Sequence, residues 1–105
     1  MSRLLLALLL LPALAVAAPP EVTLTIKDHR FQPEEVRVPA GQKVKLVIQN
    51  QDATPEEFES HELNREKVIP GGTTANVFIG PLQPGKYPFF GEFNEKTARG
   101  VVIAE

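Results

Sequence analysis

The sequence predicts an all-β protein, a Greek-key sandwich built from about seven short strands. Apolar and polar residues alternate with a period of two in several short segments, and this alternation is typical of half-buried strands. Turns rich in Gly and Pro separate these segments at roughly 8- to 12-residue spacing, as expected for a sandwich. The chain has 105 residues, so the strands belong to a single domain.

The N-terminal region predicts a secretory signal peptide. Arg3 precedes the apolar run Leu4–Leu11, and small residues lead up to a cleavage position after Ala17. The apolar run is too short to cross a bilayer comfortably, so we do not expect a membrane-spanning segment after cleavage. These features predict that residues 1–17 are removed and that residues 18–105 form a domain exported to the periplasm.

The composition excludes several classes of function. Removing residues 1–17 takes away Arg3 and no acid, so the formal net charge changes from -2 to -3. An acidic domain lacks the clustered Lys and Arg that phosphate contacts need, and nucleic acid is therefore not an expected partner. The absence of Cys excludes disulfides, thiolate ligands and a Cys nucleophile, so an apolar core must supply the stability.

Three strand signals lie in the first half of the predicted domain. Val22–Ile26 alternates strictly, and the alternation resumes at Val36–Val38 after an interruption at His29–Pro33. Val44–Ile48 predicts a strand with one fully apolar face, and Val47 on the other face indicates burial on both sides near the middle.

The second half begins with a segment that has no strand pattern, Asn50–Asn64, which we expect to be the longest irregular loop. Strand signals return at Val68–Ile69 and at Thr73–Ile79, on either side of a Pro-Gly-Gly turn. The last two predicted strands are Gly85–Phe93 and Gly100–Ile103, which a short polar loop connects. These elements complete the predicted sandwich.

Four motifs are spread through the predicted domain: Asp28-His29-Arg30-Phe31-x-Pro, Val38-Pro39-Ala40-Gly41, the segment Asn50–Ser60 and the segment Gly80–Phe93. Together they resemble the EfeO-type cupredoxin-like family, and the resemblance covers essentially all of residues 18–105. It implies a cupredoxin-like fold and a small exported bacterial protein associated with the uptake of ferrous iron or copper. It also implies a partner, either a membrane permease or a periplasmic metal-binding protein.

The usual copper ligands of cupredoxins are missing from this chain. Cupredoxins usually carry a Cys, a His three residues later and a Met about five residues after that, and these offsets fall on Gly91, Asn94 and Arg99. A type 1 copper site needs a thiolate and two His ligands. The chain contains no Cys and its only Met is Met1, so a type 1 site and electron transfer through it are excluded.

Carboxylates and imidazoles remain as candidate metal ligands, and the acids that could form an oxygen-rich site are Glu56, Glu57, Glu59, Glu62 and Glu92. We predict Glu57 and Glu92 as the best pair, because their loops lie at one end of a cupredoxin-like sandwich, and Glu57 matches an acidic residue that the EfeO-type pattern associates with metal binding. Glu59 points the same way as Glu57 in an extended segment, and His61 and His29 are further candidates. These donors suit Fe(II), Mn(II), Zn(II) or Cu(II), and the donor types alone do not choose among them. The alternative is that they are solvated loop acids that keep the protein soluble.

Two functions follow as hypotheses. The first is a periplasmic metal-handling protein that binds or passes on a divalent ion for a membrane uptake system. The second is a metal-free interaction domain that docks onto a transporter or a periplasmic partner, for which Phe90 and Phe93 predict an aromatic docking patch. No conventional catalytic site is visible, and assistance to Fe(II) oxidation stays an open alternative.

Overall fold

The computed structural model describes residues 17–105, which fold into a sandwich of two β-sheets. The predicted signal peptide, residues 1–17, lies outside the described residues except for Ala17. Nine strands occupy the described part of the chain, and a 3-10 turn follows the eighth strand. The elements are β1 (Glu21–Lys27), β2 (Arg30–Gln32), β3 (Glu35–Val38), β4 (Val44–Asn50), β5 (Glu56–Ser60), β6 (Arg65–Ile69), β7 (Thr74–Ile79), β8 (Gly85–Gly91), the 3-10 turn (Glu92–Asn94) and β9 (Arg99–Ala104).

Both sheets contain parallel and antiparallel pairs. The first sheet has the order β2-β1-β4-β7, and the second has the order β3-β9-β8-β5-β6. β1 runs parallel to β4 and β3 runs parallel to β9, whereas the other paired strands are antiparallel. The predicted all-β sandwich is confirmed. Between residues 17 and 105, no helix is long and apolar enough to cross a membrane.

The sequence predicts about seven strands, and the additional ones in the structure are β2 and β5. β2 forms a hairpin with β1, because Asp28 and His29 adopt left-handed backbone angles (φ 52° and 56°) that reverse the chain within two residues. β5 lies inside Asn50–Asn64, so the prediction of an irregular segment there is wrong. On the inner face of β5, the buried polar residues Glu56 and Ser60 lie on either side of Phe58. A search for alternating apolar residues therefore does not detect this strand.

Three phenylalanines from different strands form the centre of the core. Phe31 packs edge-on against Phe58 and Phe89, with ring centroids 6.2 Å and 5.0 Å apart, and Phe58 lies 5.1 Å from Phe89. Edge-to-face contacts of this kind add to the free energy gained by burying the rings. They connect β2 of the first sheet with β5 and β8 of the second, beneath the strands that carry the predicted metal ligands.

Hydrogen bonds from two polar residues order the loop between β4 and β5. Asn50 is buried and donates from Nδ2 to the carbonyl oxygens of Thr54 and Ile69 at 2.9 and 3.0 Å. Its Oδ1 accepts from the backbone N–H of Asp52 at 3.0 Å. The Asp52 carboxylate in turn accepts from two backbone N–H groups of the β1–β2 turn at 2.8 and 3.0 Å. These bonds connect the β1–β2 hairpin to the end of β4.

Candidate metal-binding site

The pairing of β5 with β8 brings Glu57 and Glu92 together. The antiparallel ladder pairs Phe58 with Gly91. Continuing the register by one step places Glu92, the first residue after β8, opposite Glu57. Opposite residues of an antiparallel pair share a face, and Phe58 points into the core, so the register directs both carboxylates to the outer face of the second sheet.

Glu59 completes a group of three acids, which we call the carboxylate cluster. It lies two residues after Glu57 in β5 and therefore points to the same face. One carboxylate oxygen from each of Glu57, Glu59 and Glu92 lies within 4.8 Å of the other two. Oxygens that surround a divalent ion at about 2.1 Å are about 3 Å apart when adjacent and about 4 Å apart when opposite. The three side chains are therefore close enough to bind one ion together.

Partial burial and the neighbouring acids raise the pKa values of two of these carboxylates. Partial burial raises the pKa of Glu57, and the negative charge of Glu92 raises it further. A hydrogen bond shared with Glu92, followed by partial burial, raises the pKa of Glu59. A divalent ion bound between the three carboxylates would neutralise the repulsion within the carboxylate cluster.

Two further titratable groups lie beside the carboxylate cluster. Glu66 is opposite Glu59 in the β5–β6 pair, and its negative charge adds to the repulsion. His61 Nδ1 lies 4.0 Å from Glu59 Oε1, and the His61 ring centroid is 5.7 Å from that of Phe90. The side chain of His61 is 74% exposed. The imidazole is thus next to the carboxylate cluster, and the structure does not place it within the group.

His29, the other predicted imidazole ligand, has a different partner. Its Nδ1 lies 3.7 Å from Asp52 Oδ2, and its backbone N–H donates to the same oxygen at 3.0 Å. Its carbonyl oxygen accepts a hydrogen bond from Thr97 Oγ1 at 2.6 Å. The structure therefore places His29 in the contact between the β1–β2 hairpin and Asp52, and does not bring it into the carboxylate cluster.

A further acid, Glu56, points into the protein and is only 1% exposed. Its Oε1 accepts hydrogen bonds from the backbone N–H groups of Glu57 and Phe93 at 3.0 and 2.9 Å. Its Oε2 accepts from Asn94 Nδ2 at 2.6 Å. The sequence predicts Glu56 only as one of several acids that could contribute to an oxygen-rich site, and not as a chosen ligand. The signal that identifies it is the two-residue period from Phe58, which places Glu56 on the core face of β5.

Gly91, at the position of the usual Cys ligand, makes room for Glu56. A Cβ atom at Gly91 would lie 2.6 Å from Glu56 Cδ and 2.7 Å from Ala98 Cβ, so a larger side chain collides there. Asn94, at the position of the usual His ligand, donates a hydrogen bond to Glu56. A hydrogen-bonded carboxylate therefore lies next to Gly91 and Asn94, the two positions on which the offsets of the usual copper ligands fall.

Comparison with known proteins identifies the class of this chain as cupredoxin-like. The Cupredoxin-like domain family matches residues 2–104, and the chain belongs to this family. Over 83 residues it is 51% identical to the Uncharacterized protein RP394 of Rickettsia prowazekii (strain Madrid E). That similarity covers 79% of this chain and 66% of the relative's length.

Solved structures share the fold at low sequence identity. Auracyanin A, a "blue" copper protein from Chloroflexus aurantiacus, has a TM-score of 0.73 at 15% identity, covering 84% of this chain and 100% of that chain. The metal-binding domain of the Cu(I)-exporting P-type ATPase CopA from Streptococcus pneumoniae D39 has a TM-score of 0.68 at 11% identity, covering 81% and 84% of the two chains. These similarities confirm the cupredoxin-like fold, while the absence of Cys from the sequence excludes a type 1 site.

Proposed function

We propose that this protein binds a divalent metal ion in the carboxylate cluster and passes it on to a membrane uptake system. The observation that carries the proposal is the convergence of Glu57, Glu59 and Glu92, whose oxygens lie within 4.8 Å of one another. Like charges held this close destabilise the metal-free fold, and a bound cation relieves the repulsion. The arrangement therefore favours the ion-bound form.

The uptake role is supported by the sequence. The motifs around Glu57 and Glu92 resemble the EfeO-type family, which is associated with ferrous-iron and copper uptake, and the N-terminal region predicts export to the periplasm. The partner in this proposal is a membrane permease or a periplasmic metal-binding protein. An ion bound on the outer face of a sheet is open to such a partner, because Glu92 is exposed and the two other acids are half-buried.

The donor set determines which ions suit the site. Carboxylate oxygens favour hard or borderline divalent ions such as Fe(II) and Mn(II), whereas Cu(I) prefers thiolate and thioether ligands. Cu(II) binds nitrogen and oxygen donors more tightly than Fe(II) does, according to the Irving–Williams order. His61, beside Glu59, supplies an imidazole that suits Cu(II) if its exposed side chain rotates towards the ion. The supply of metal in the compartment then decides between iron and copper.

Calorimetric titration of the mature protein with Fe(II) under anaerobic conditions tests the proposal, with Mn(II), Zn(II) and Cu(II) titrated in parallel. We expect one ion to bind per chain. The variants Glu57→Gln, Glu59→Gln and Glu92→Gln each remove one charged ligand, and we expect each to weaken binding by at least about 10-fold. Glu62→Gln is the matched control, because Glu62 is an exposed acid close to the same strand but outside the carboxylate cluster.

Two results would contradict the metal-binding function. One is a folded wild-type protein that binds none of the four ions at millimolar concentration. The other is binding that all three cluster variants retain at wild-type affinity, since the ion would then lie elsewhere.

A second candidate function is docking without a metal ion. Phe93 is 49% exposed and lines an open cleft of about 520 Å³ between the β1–β2 hairpin and the 3-10 turn. Phe90 is half-buried, so the exposed part of the predicted docking patch is centred on Phe93. Exposed apolar side chains mark a protein interaction site when they form a contiguous patch, so this function requires Phe90 and Phe93 to act together. Loss of partner binding in Phe93→Ser, with no ion bound by the wild type, would favour this function.

A further inference from the structure

We infer that Glu56 is a positioning residue that holds Glu92 against Glu57 and Glu59. The inference rests on the proposed metal site, and it assigns a role to an acid that lies on the opposite side of β5 from the carboxylate cluster. Glu56 acts through the backbone of the 3-10 turn and does not contact the ion itself.

The 3-10 turn that begins at Glu92 depends on an acceptor from another strand. The residue before the turn is Gly91, which has no side chain to accept the free N–H groups at the start of the turn. Glu56 of β5 supplies this acceptor, because its Oε1 receives the Phe93 N–H at 2.9 Å. Its Oε2 receives Asn94 Nδ2 at 2.6 Å. Both residues that follow Glu92 are therefore bonded to one carboxylate.

The same carboxylate is bonded to the strand that carries the other two ligands. The Glu57 N–H donates to Glu56 Oε1 at 3.0 Å, so one oxygen atom accepts from Glu57 and from Phe93. This shared oxygen sets the distance between β5 and the 3-10 turn next to the carboxylate cluster. The distance between Glu57 and Glu92 consequently depends on Glu56.

The surroundings of Glu56 leave it little freedom to move. The residue is 1% exposed, so water does not replace a hydrogen bond that the carboxylate gives up. A Cβ atom at Gly91 would lie 2.6 Å from Glu56 Cδ, which shows how closely the carboxyl group packs against the backbone at that position. Charge-assisted hydrogen bonds in a buried setting are among the stronger ones in proteins. Glu56 is thus rigid enough to position its neighbours.

The first test uses the metal-free protein and follows the Glu59 carboxyl carbon by NMR as the pH changes. In Glu56→Ala and Asn94→Ala, we expect Glu92 to move away and the pKa of Glu59 to fall towards its ordinary value. In Glu56→Gln, we expect the pKa to stay raised, because the Gln oxygen still accepts the Phe93 N–H and the Asn94 amide can turn to accept from the Gln nitrogen. Glu59 is the appropriate reporter because one of its carboxylate oxygens lies within 4.8 Å of one of those of Glu92, on the opposite face of β5 from Glu56.

The second test measures Mn(II) affinity in the same variants. We expect Glu56→Ala to weaken binding about 10- to 100-fold, as is typical when a residue that orients a metal ligand is removed. We expect the Mn(II) affinity of Glu56→Gln to stay within about threefold of the wild-type affinity. This result would show that Glu56 acts by positioning Glu92 and not through its negative charge. In a Glu92→Gln background, Glu56→Ala should cause no further loss, since Glu56 acts through Glu92.

The outcomes separate this inference from the proposed function. An unchanged Glu59 pKa in folded Glu56→Ala overturns the inference, and so do fully additive losses of Mn(II) affinity in the double variant. If the wild type binds none of the four ions while the Glu59 titration responds as expected, the metal function fails and the positioning of Glu92 stands. If Glu56→Ala does not fold, Asn94→Ala replaces it, because that variant removes one hydrogen bond and leaves the buried carboxylate in place.

Discussion

Glu57 and Glu92 lie opposite each other at the point where the β5–β8 ladder ends, and the register of that ladder directs them to the outer face of the second sheet. The inner face at the same level holds Glu56, bonded to the 3-10 turn. The chain thus places a group of acids on the outer face of the second sheet and one buried acid on its inner face. This arrangement leads to four predictions about stability and binding.

Removing one charge from the carboxylate cluster should stabilise the metal-free protein at neutral pH. Glu59→Gln keeps the size of the side chain but removes one repelling charge, so we expect a higher melting temperature without metal. The same variant binds ions more weakly, and saturating Mn(II) should therefore raise its melting temperature less than that of the wild type. Scanning calorimetry with and without Mn(II) measures both effects. Glu62→Gln should shift neither, and a lower metal-free melting temperature for Glu59→Gln would contradict the prediction.

The raised pKa values of Glu57 and Glu59 predict a pH dependence of stability. Both groups hold protons more tightly in the folded chain than in the unfolded chain, where their pKa is near 4.5. Their contribution to the folding stability is complete at pH values below the unfolded pKa, and it is lost as the pH rises through the raised pKa of the folded state. Urea denaturation from acid to neutral pH should therefore show that the stability gained by a Glu57→Gln/Glu59→Gln variant grows with pH. A gain that is the same at every pH would refute the assignment.

Asp52 should stabilise the β1–β2 hairpin, with the opposite dependence on pH. The backbone N–H of His29, helped by that of Asp28, holds the pKa of Asp52 below its ordinary value of 3.8. This contribution is present above the unfolded pKa and is lost as the pH falls through the lower folded pKa. We expect Asp52→Ala to cost about 2 kcal/mol at neutral pH. Asp52→Asn keeps one acceptor oxygen and should reduce the stability less than Asp52→Ala does. Amide hydrogen exchange in the hairpin should also accelerate less in Asp52→Asn than in Asp52→Ala.

Gly91 should tolerate no side chain, whereas Gly85 should. At Gly91 an added Cβ would lie 2.6 Å from Glu56 Cδ, while at Gly85 the nearest atom would be a Tyr87 ring carbon at 3.8 Å. We expect Gly91→Ala to destabilise the protein by about 1–3 kcal/mol through overpacking, and to weaken ion binding because Glu56 must shift. Gly85→Ala is the control and should leave both unchanged or raise stability slightly. Chemical denaturation and a Mn(II) titration compare the two variants.

Much of the fold can be predicted from patterns within single segments of the sequence. Val22–Ile26 and Thr73–Ile79 alternate in a way that only a half-buried strand explains, and both are strands in the structure. The same period places Glu57 and Glu59 on one face, since neighbouring positions of a strand alternate between its two sides. The absence of Cys excludes a type 1 copper site without any knowledge of the fold.

Only the tertiary structure decides which of the acids meet. The Phe93 N–H and the Asn94 amide reach Glu56 across 37 and 38 positions of sequence, and no local pattern specifies such a contact. The partner of His29 is likewise set by the packing of a hairpin against Asp52, 23 residues away. The burial of Glu56 requires donors that satisfy its carboxylate, and two of these come from the 3-10 turn after β8. The different roles of Glu56 and Glu57 therefore depend on the pairing of β5 with β8.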